Sequence, residues 1–248
     1  MTAGPRPAGG PRPSTGHRRG IVSYVRRTTR LTETQQHAWD RFADRWVVPV
    51  PEGPRETSVD PSAEPFDLAA LFGRDAPLAV EIGSGSGESL VAMAAARPEL
   101  DVLAFEVYQP AVASTLSRIN RAGVDNVRVV MADAVEGLTL LLGPDALSEL
   151  WLFFPDPWHK LKHRKRRLVT SAFADLVAAR MRPGGQWHLA TDWQDYANQM
   201  LRVLTEHEAF ENLHEQWAPR WEARPVTKFE AKGTAAGRTI RDLTFRRR

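Results

Sequence analysis

The chain contains no cysteine among its 248 residues. Disulfides, iron–sulfur clusters and Cys-ligated zinc are therefore excluded, and a reducing cytoplasm fits the absence. No run of roughly 18 or more apolar residues occurs, so no segment reads as a membrane span. The amino terminus lacks the apolar stretch of a secretory signal. No clustered set of His, Asp and Glu suggests a bound metal. A large excess of one charge is also missing, since the formal net charge is +3. The basic residues are instead gathered near the amino terminus, at 160–167 and at the carboxyl-terminal end. Such clustering favours an anionic partner. Hydrophobic residues make up 42%, enough for a full core.

Residues 1–20 repeat Pro, Gly and Arg and read as a disordered tail. Residues 21–248 read as one domain, whose first part, 21–65, is an extension packed on the core. Within it, Trp39, Phe42 and Trp46 fall on one face of an amphipathic helix. From about residue 77, strands and helices alternate. Strands are expected at 78–82, 102–105, 127–131, 150–154 and 187–191. Helices are expected at 88–96, 111–121, 168–181 and 193–207. Two more strands, at 210–217 and 239–246, suit an antiparallel hairpin at a sheet edge. This alternation predicts an α/β, Rossmann-like fold: a mostly parallel seven-stranded sheet with helices on both faces.

The first strand runs into Glu81-Ile82-Gly83-Ser84-Gly85-Ser86-Gly87-Glu88. Gly83, Gly85 and Gly87 let the backbone turn tightly and approach a ligand. Glu88 stands where a dinucleotide fingerprint has its third glycine. Together with Glu81 it would repel a pyrophosphate. A ligand carrying an ammonium and a sulfonium would be attracted, which favours S-adenosylmethionine over NAD. Glu106, some ~20 residues on, has the spacing of an acid that meets ribose hydroxyls. Asp133 follows the third strand, where it could receive the adenine amino group.

The fourth strand ends in Phe153-Phe154-Pro155-Asp156-Pro157-Trp158. The two prolines restrict the backbone around Asp156 and can hold its carboxylate in one direction. That makes Asp156 the first catalytic candidate and a further cofactor contact, although a lone Asp beside proline also reads as a turn residue. Trp158 offers a face for a nucleobase. Lys160 and the run Lys162, His163, Arg164, Lys165, Arg166 and Arg167 could grip phosphates. Asp192 ends the fifth strand on the same rim, and it could equally cap the next helix. Thr227-Lys228-Phe229-Glu230, with glycines following, is expected as a loop returning to that rim, though Thr-x-x-Glu is also a capping box.

Three segments together resemble the bacterial tRNA (guanine-N7-)-methyltransferase family. They are Phe154–Lys160 with Lys165-Arg166-Arg167, Thr227–Glu230 with Gly237-Arg238, and Asp242-Leu243. The likeness extends from Ser23-Tyr24-Val25-Arg26-Arg27 to Arg246, and the proline- and arginine-rich tail departs from it. It implies a class I methyltransferase fold and methylation of a guanine in the variable loop of tRNA, by a monomer or homodimer with no metal and no membrane contact. Cofactor acids would be Glu81, Glu106, Asp133 and Asp156. Substrate contacts would be Lys160, Asp192, Thr227, Lys228, Phe229 and Glu230, with Lys162–Arg167 on the RNA. Three other readings use the same features: a nicotinamide oxidoreductase, a non-catalytic RNA-binding protein, and a methyltransferase acting on DNA or protein.

Overall fold

The computed structural model describes residues 30–248. The expected tail and the Ser23–Arg27 string lie outside them. Helix α1 (Glu33–Trp46) starts from a capping box in which the Thr32 side chain accepts from Gln35 N–H and the Gln35 side chain accepts in return. The Gln35 amide also donates to the Pro110 carbonyl at 3.0 Å, tying the helix to the main domain. Trp46 is buried, as the amphipathic pattern requires.

Beyond a short helix α2 (Leu68–Phe72), strands and helices alternate. They run β1 (Leu78–Ile82), α3 (Glu88–Ala96), β2 (Asp101–Phe105), α4 (Gln109–Ala122), β3 (Val127–Val130), α5 (Ala134–Leu140) and β4 (Leu147–Phe153). A 3-10 helix (Leu161–Arg166) follows, then α6 (Ser171–Arg180), β5 (Met181–Thr191), α7 (Gln194–Thr205), β6 (Phe210–Asn212), α8 (Lys228–Ala235) and β7 (Arg241–Arg247). The seven strands form one sheet in the order β3-β2-β1-β4-β5-β7-β6. The first five are parallel, while β7 runs antiparallel to both β5 and β6.

Every residue of β1 and β2 is buried, because helices cover both faces. Alternate side chains of one strand therefore enter different cores. Leu78, Val80, Leu103 and Phe105 join one apolar cluster with α5 to α7. Ala79, Val102 and Ala104 join the other with α1, α3 and α4.

Three expectations differ from the structure. Helix α8 occupies 228–235, where a loop was expected, and Thr227 caps it by accepting from Glu230 N–H. Helix α5 was not foreseen. It starts at Asp133, whose side chain accepts from Val135 and Glu136 N–H. It includes Gly137 because a Cβ there would overlap the Phe105 ring. The penultimate strand covers 210–212, not 210–217. The last two strands do form the expected antiparallel pair at the sheet edge, with β6 outermost and β7 between β5 and β6.

Candidate active site

The parallel strands deliver their carboxyl ends to one rim, and the acids found in the sequence lie along it. The loop after β1 has Gly83, Gly85 and Gly87 at φ 72°, 55° and 74°. A Cβ on Gly83 or Gly85 would meet nothing within 4 Å, so the loop faces open space. Gly87 does a different job. A Cβ there would sit 2.6 Å from Thr115 Oγ1, so its absence lets α3 approach α4.

Glu81 is 3% exposed, and its Oε2 has no hydrogen-bond partner. Burial pushes its carboxyl up to about 8, with a further push from the Glu106 charge. Ser84 Oγ is likewise buried and unpartnered. Two orphaned polar atoms, one at the end of β1 and one in the glycine loop that follows, mark a place for a polar ligand.

Glu106 is fixed by three backbone donors: Gly85 N–H at 2.9 Å, Val107 N–H at 2.8 Å and Tyr108 N–H at 2.9 Å. It thus shapes the glycine loop while keeping unused acceptor capacity. Asp133 is buried at the start of α5. Glu81, Glu106 and Asp133 thus come from three adjacent strands, β1, β2 and β3. Their chemistry suits a ligand with cationic groups and ribose hydroxyls, and S-adenosylmethionine fits this set.

Past β4, the turn Phe154–Trp158 begins and ends on non-glycine residues of positive φ, 51° at Phe154 and 45° at Trp158. The Phe154 N–H donates to Ala190 O at 2.7 Å, joining the turn to β5. Asp156 sits exposed at its crest. His159 packs on Trp193, ring centroids 4.1 Å apart. Trp158 meets the His163 ring edge-on, and Arg166 lies over its indole with the guanidinium carbon 4.9 Å from the centroid. The His163 imidazole is held below its ordinary pKa by burial and by the cations Arg166, Lys162, Lys160 and Lys165.

The basic run is a 3-10 helix of its own, not the start of α6, which Thr170 caps. It does not present all its charges to solvent. Lys160, Lys162 and Lys165 are exposed. Arg164 pairs with Asp195 at 3.2 Å. Arg167 is 1% exposed. It donates to Pro157 O at 2.8 Å, Gln199 Oε1 at 2.9 Å and Asp195 Oδ2 at 2.6 Å. The RNA contact expected of Arg167 is corrected accordingly, because its donors all point inward.

On the far side of the rim, Asp192 does not cap α7. It pairs with Arg238 at 2.7 Å. Glu230 is buried, and Arg220 and Arg224 donate to its two oxygens. Arg224 also donates to Asp242 at 2.8 Å. Burial raises the Asp242 carboxyl, and Arg224 partly opposes that. Lys228 N–H donates to Glu88 Oε2 at 3.3 Å, so α8 reaches across to the helix that follows the glycine loop. Phe229 is 52% exposed and rests on Phe154, centroids 5.1 Å apart. Trp221 stacks flat on His188 at 3.8 Å, pinning the segment that leads to α8. Burial lowers that histidine to about 4.

Glu88, Arg220, Arg224 and Arg238 also border the site, beyond the residues the sequence predicts. Two of them carry a signal in the sequence: Glu88, as the acid in place of a fingerprint glycine, and Arg238, as part of the Gly237-Arg238 string. A cavity of about 410 Å³ lined by Leu78, Asp101 and Asp145 opens at the amino-terminal ends of the strands, away from this rim.

A family model described as "Putative methyltransferase" matches residues 75–243. A Cutibacterium acnes protein named tRNA (guanine-N(7)-)-methyltransferase is 51% identical over 97% of this chain and 88% of its own length. A Nocardioides protein of the same name is 55% identical over 93% and 88%. One from Cronobacter sakazakii is 47% identical over 92% of each. Among solved structures, the 16S rRNA methyltransferase KamB is similar with a TM-score of 0.55 and 16% identity, over 75% of this chain and 95% of that one. The architecture is the Rossmann-like fold of class I S-adenosylmethionine-dependent methyltransferases.

Proposed function

The chain belongs to the tRNA (guanine-N(7)-)-methyltransferase family, and on that premise we propose that it methylates N7 of a guanine in the variable loop of tRNA. S-adenosylmethionine supplies the methyl group when bound. Glu81, Gly83, Gly85, Gly87, Glu106 and Asp133 hold the donor, and Asp156 borders it. The observation that carries the reading is the shared rim: the strand-end acids surround an open glycine loop, beside a rigid acid-bearing turn with a cationic flank.

Guanine N7 carries an in-plane lone pair, so no residue has to remove a proton before attack. The chain's contribution is orientation of the two reactants. Positive charge would pass from the sulfonium to the purine as the N7–carbon bond forms and the sulfur–carbon bond breaks with its electron pair left on sulfur. The Asp156 carboxylate stabilises the charge on the purine. The guanine leaves its stack to reach the rim. Phe229 and Trp158 offer it aromatic surface there, and Lys228 and Asp192 supply polar contacts. Thr227 and Glu230 serve from behind, by capping and anchoring α8. Exposed Lys160, Lys162 and Lys165 hold the RNA backbone. The place of work is the cytoplasm, where tRNA is.

The test is incubation with methyl-labelled S-adenosylmethionine and bulk tRNA, followed by nucleoside analysis. Label in 7-methylguanosine is expected. Label in another nucleoside, or none, overturns the proposal.

A further inference from the structure

We propose that Arg167 is a positioning residue that locks the Asp156-bearing turn in its strained shape, from inside the protein. The role rests on the reading of Asp156 as the acid beside the transferred methyl group.

The turn is costly to form. A non-glycine residue in the left-handed region is strained and persists only where the surroundings over-determine it. Phe154 and Trp158 both sit there, at φ 51° and 45°. Pro155 and Pro157 fix their own φ angles, yet neither fixes those of Phe154 or Trp158. Something else must hold the two ends.

At the second end that element is Arg167. Its Nε donates to the Pro157 carbonyl at 2.8 Å, at the peptide that leads into Trp158. Its two terminal nitrogens donate to Gln199 and Asp195 of α7, at 2.9 and 2.6 Å. The guanidinium carbon lies 4.8 Å from the Tyr196 ring centroid, on the same helix. The turn is thereby tied to α7, a helix packed into the core, in addition to the contacts of Trp158 with His163 and Arg166 of the exposed 3-10 helix. The three acceptors are served by three separate nitrogens of one rigid planar fork, whereas the donors of an ammonium all radiate from a single atom and cannot span the same spread. At the first end the Phe154 N–H donates to Ala190 O at 2.7 Å, and the rings there pack on Arg224. That arginine is 1% exposed, and its guanidinium carbon lies 5.4 and 5.3 Å from the Phe153 and Phe154 ring centroids. Asp156, between them, accepts no hydrogen bond among the described residues, so its direction is set by the turn alone.

One basic run therefore divides its labour. Its exposed lysines face the RNA, and its last arginine faces the protein. The two roles have different kinetic signatures, and Arg167→Lys separates them. This variant keeps the charge but cannot reproduce the fork. The expected result is a fall in kcat of at least about tenfold, with the KM for tRNA and its salt dependence close to wild type. Hydrogen exchange at the amides of 154–160 should quicken, while those of β1 to β3 stay protected.

Normal kcat with a raised KM for tRNA would overturn the proposal, and so would unchanged exchange at 154–160. A general loosening of all strands would reduce Arg167 to a core stabiliser and overturn it equally. If Arg167→Lys fails to fold, Asp195→Asn weakens the same anchor from a half-exposed position and should give the same pattern with smaller size. Unchanged kcat and exchange in that variant would then refute the role. If wild type transfers no methyl group to tRNA, the proposed function fails, and the exchange measurement still decides whether Arg167 holds the turn.

Discussion

Replacing Glu81 by glutamine should make the cofactor-free protein more stable while impairing its grip on S-adenosylmethionine. Glu81 is buried, leaves one oxygen unpartnered and lies within the influence of Glu106, and its carboxyl is raised from 4.5 to about 8. The folded protein at pH 7 thus holds a proton that the unfolded chain, with an ordinary carboxyl, has released. At about 1.4 kcal/mol per pH interval of one, keeping that proton costs roughly 3 kcal/mol at pH 7.

The sign follows from linkage. A raised folded-state pKa gives a contribution fully present below 4.5 and lost progressively as pH rises to about 8. Glutamine has the same shape and no charge to suppress. Urea denaturation of both proteins without cofactor, at pH 5, 6, 7 and 8, should show wild type losing stability across that range relative to Glu81→Gln. The variant should lead by about 1–3 kcal/mol at pH 7, the lower figure allowing for relaxation around the charge. Calorimetry should show the affinity for S-adenosylmethionine falling by at least about tenfold, because a bound cation lets Glu81 give up its proton and pair as a carboxylate, which glutamine cannot do. Parallel pH profiles for the two proteins would refute the buried-proton argument. Unchanged cofactor affinity would remove Glu81 from the donor site.

Asp156→Ala should lower kcat by about 10²–10³ while leaving most of the tRNA affinity, measured by filter binding. Near-normal turnover would take it off the catalytic list. Neutralising Lys162 and Lys165 together should weaken tRNA binding and flatten its salt dependence by up to about two phosphate contacts, read from affinity at several salt concentrations. An unchanged slope would return the 3-10 helix to plain surface. Gly137→Ala should destabilise the protein by about 1–3 kcal/mol through overlap with the Phe105 ring. Chemical denaturation checks this, and a neutral result would mean the ring has room to turn.

The residues legible from sequence are those whose place depends on local order. A strand must end somewhere: Glu81 lies near the end of β1, and Glu106, Asp133, Asp156 and Asp192 each follow a strand, so parallel topology brings them to one rim. Arg167 shows the opposite case. Its neighbours Lys162 and Lys165 carry the same charge in the same run, yet its direction depends on Asp195 and Gln199 of a later helix, which no local pattern reveals. Helix α8 is intermediate. Thr227 and Glu230 announced its cap, while Gly233 and Gly237 argued for a loop. The ion pairs from Arg220 and Arg224 to Glu230 tip the balance, and they are tertiary. Helix α5 hid behind Gly137, a poor helix former whose purpose is visible only against Phe105.

The placement of β7 between β5 and β6 has a consequence for biosynthesis. Both neighbours emerge from the ribosome earlier, and neither can pair on that side until the later strand arrives. During that interval β5 presents an open row of backbone donors and acceptors, the kind of edge on which nascent chains adhere to one another. Loss of 241–247 would therefore be no trimming of a frayed end: it would remove an inner plank and leave that adhesive seam permanently bare.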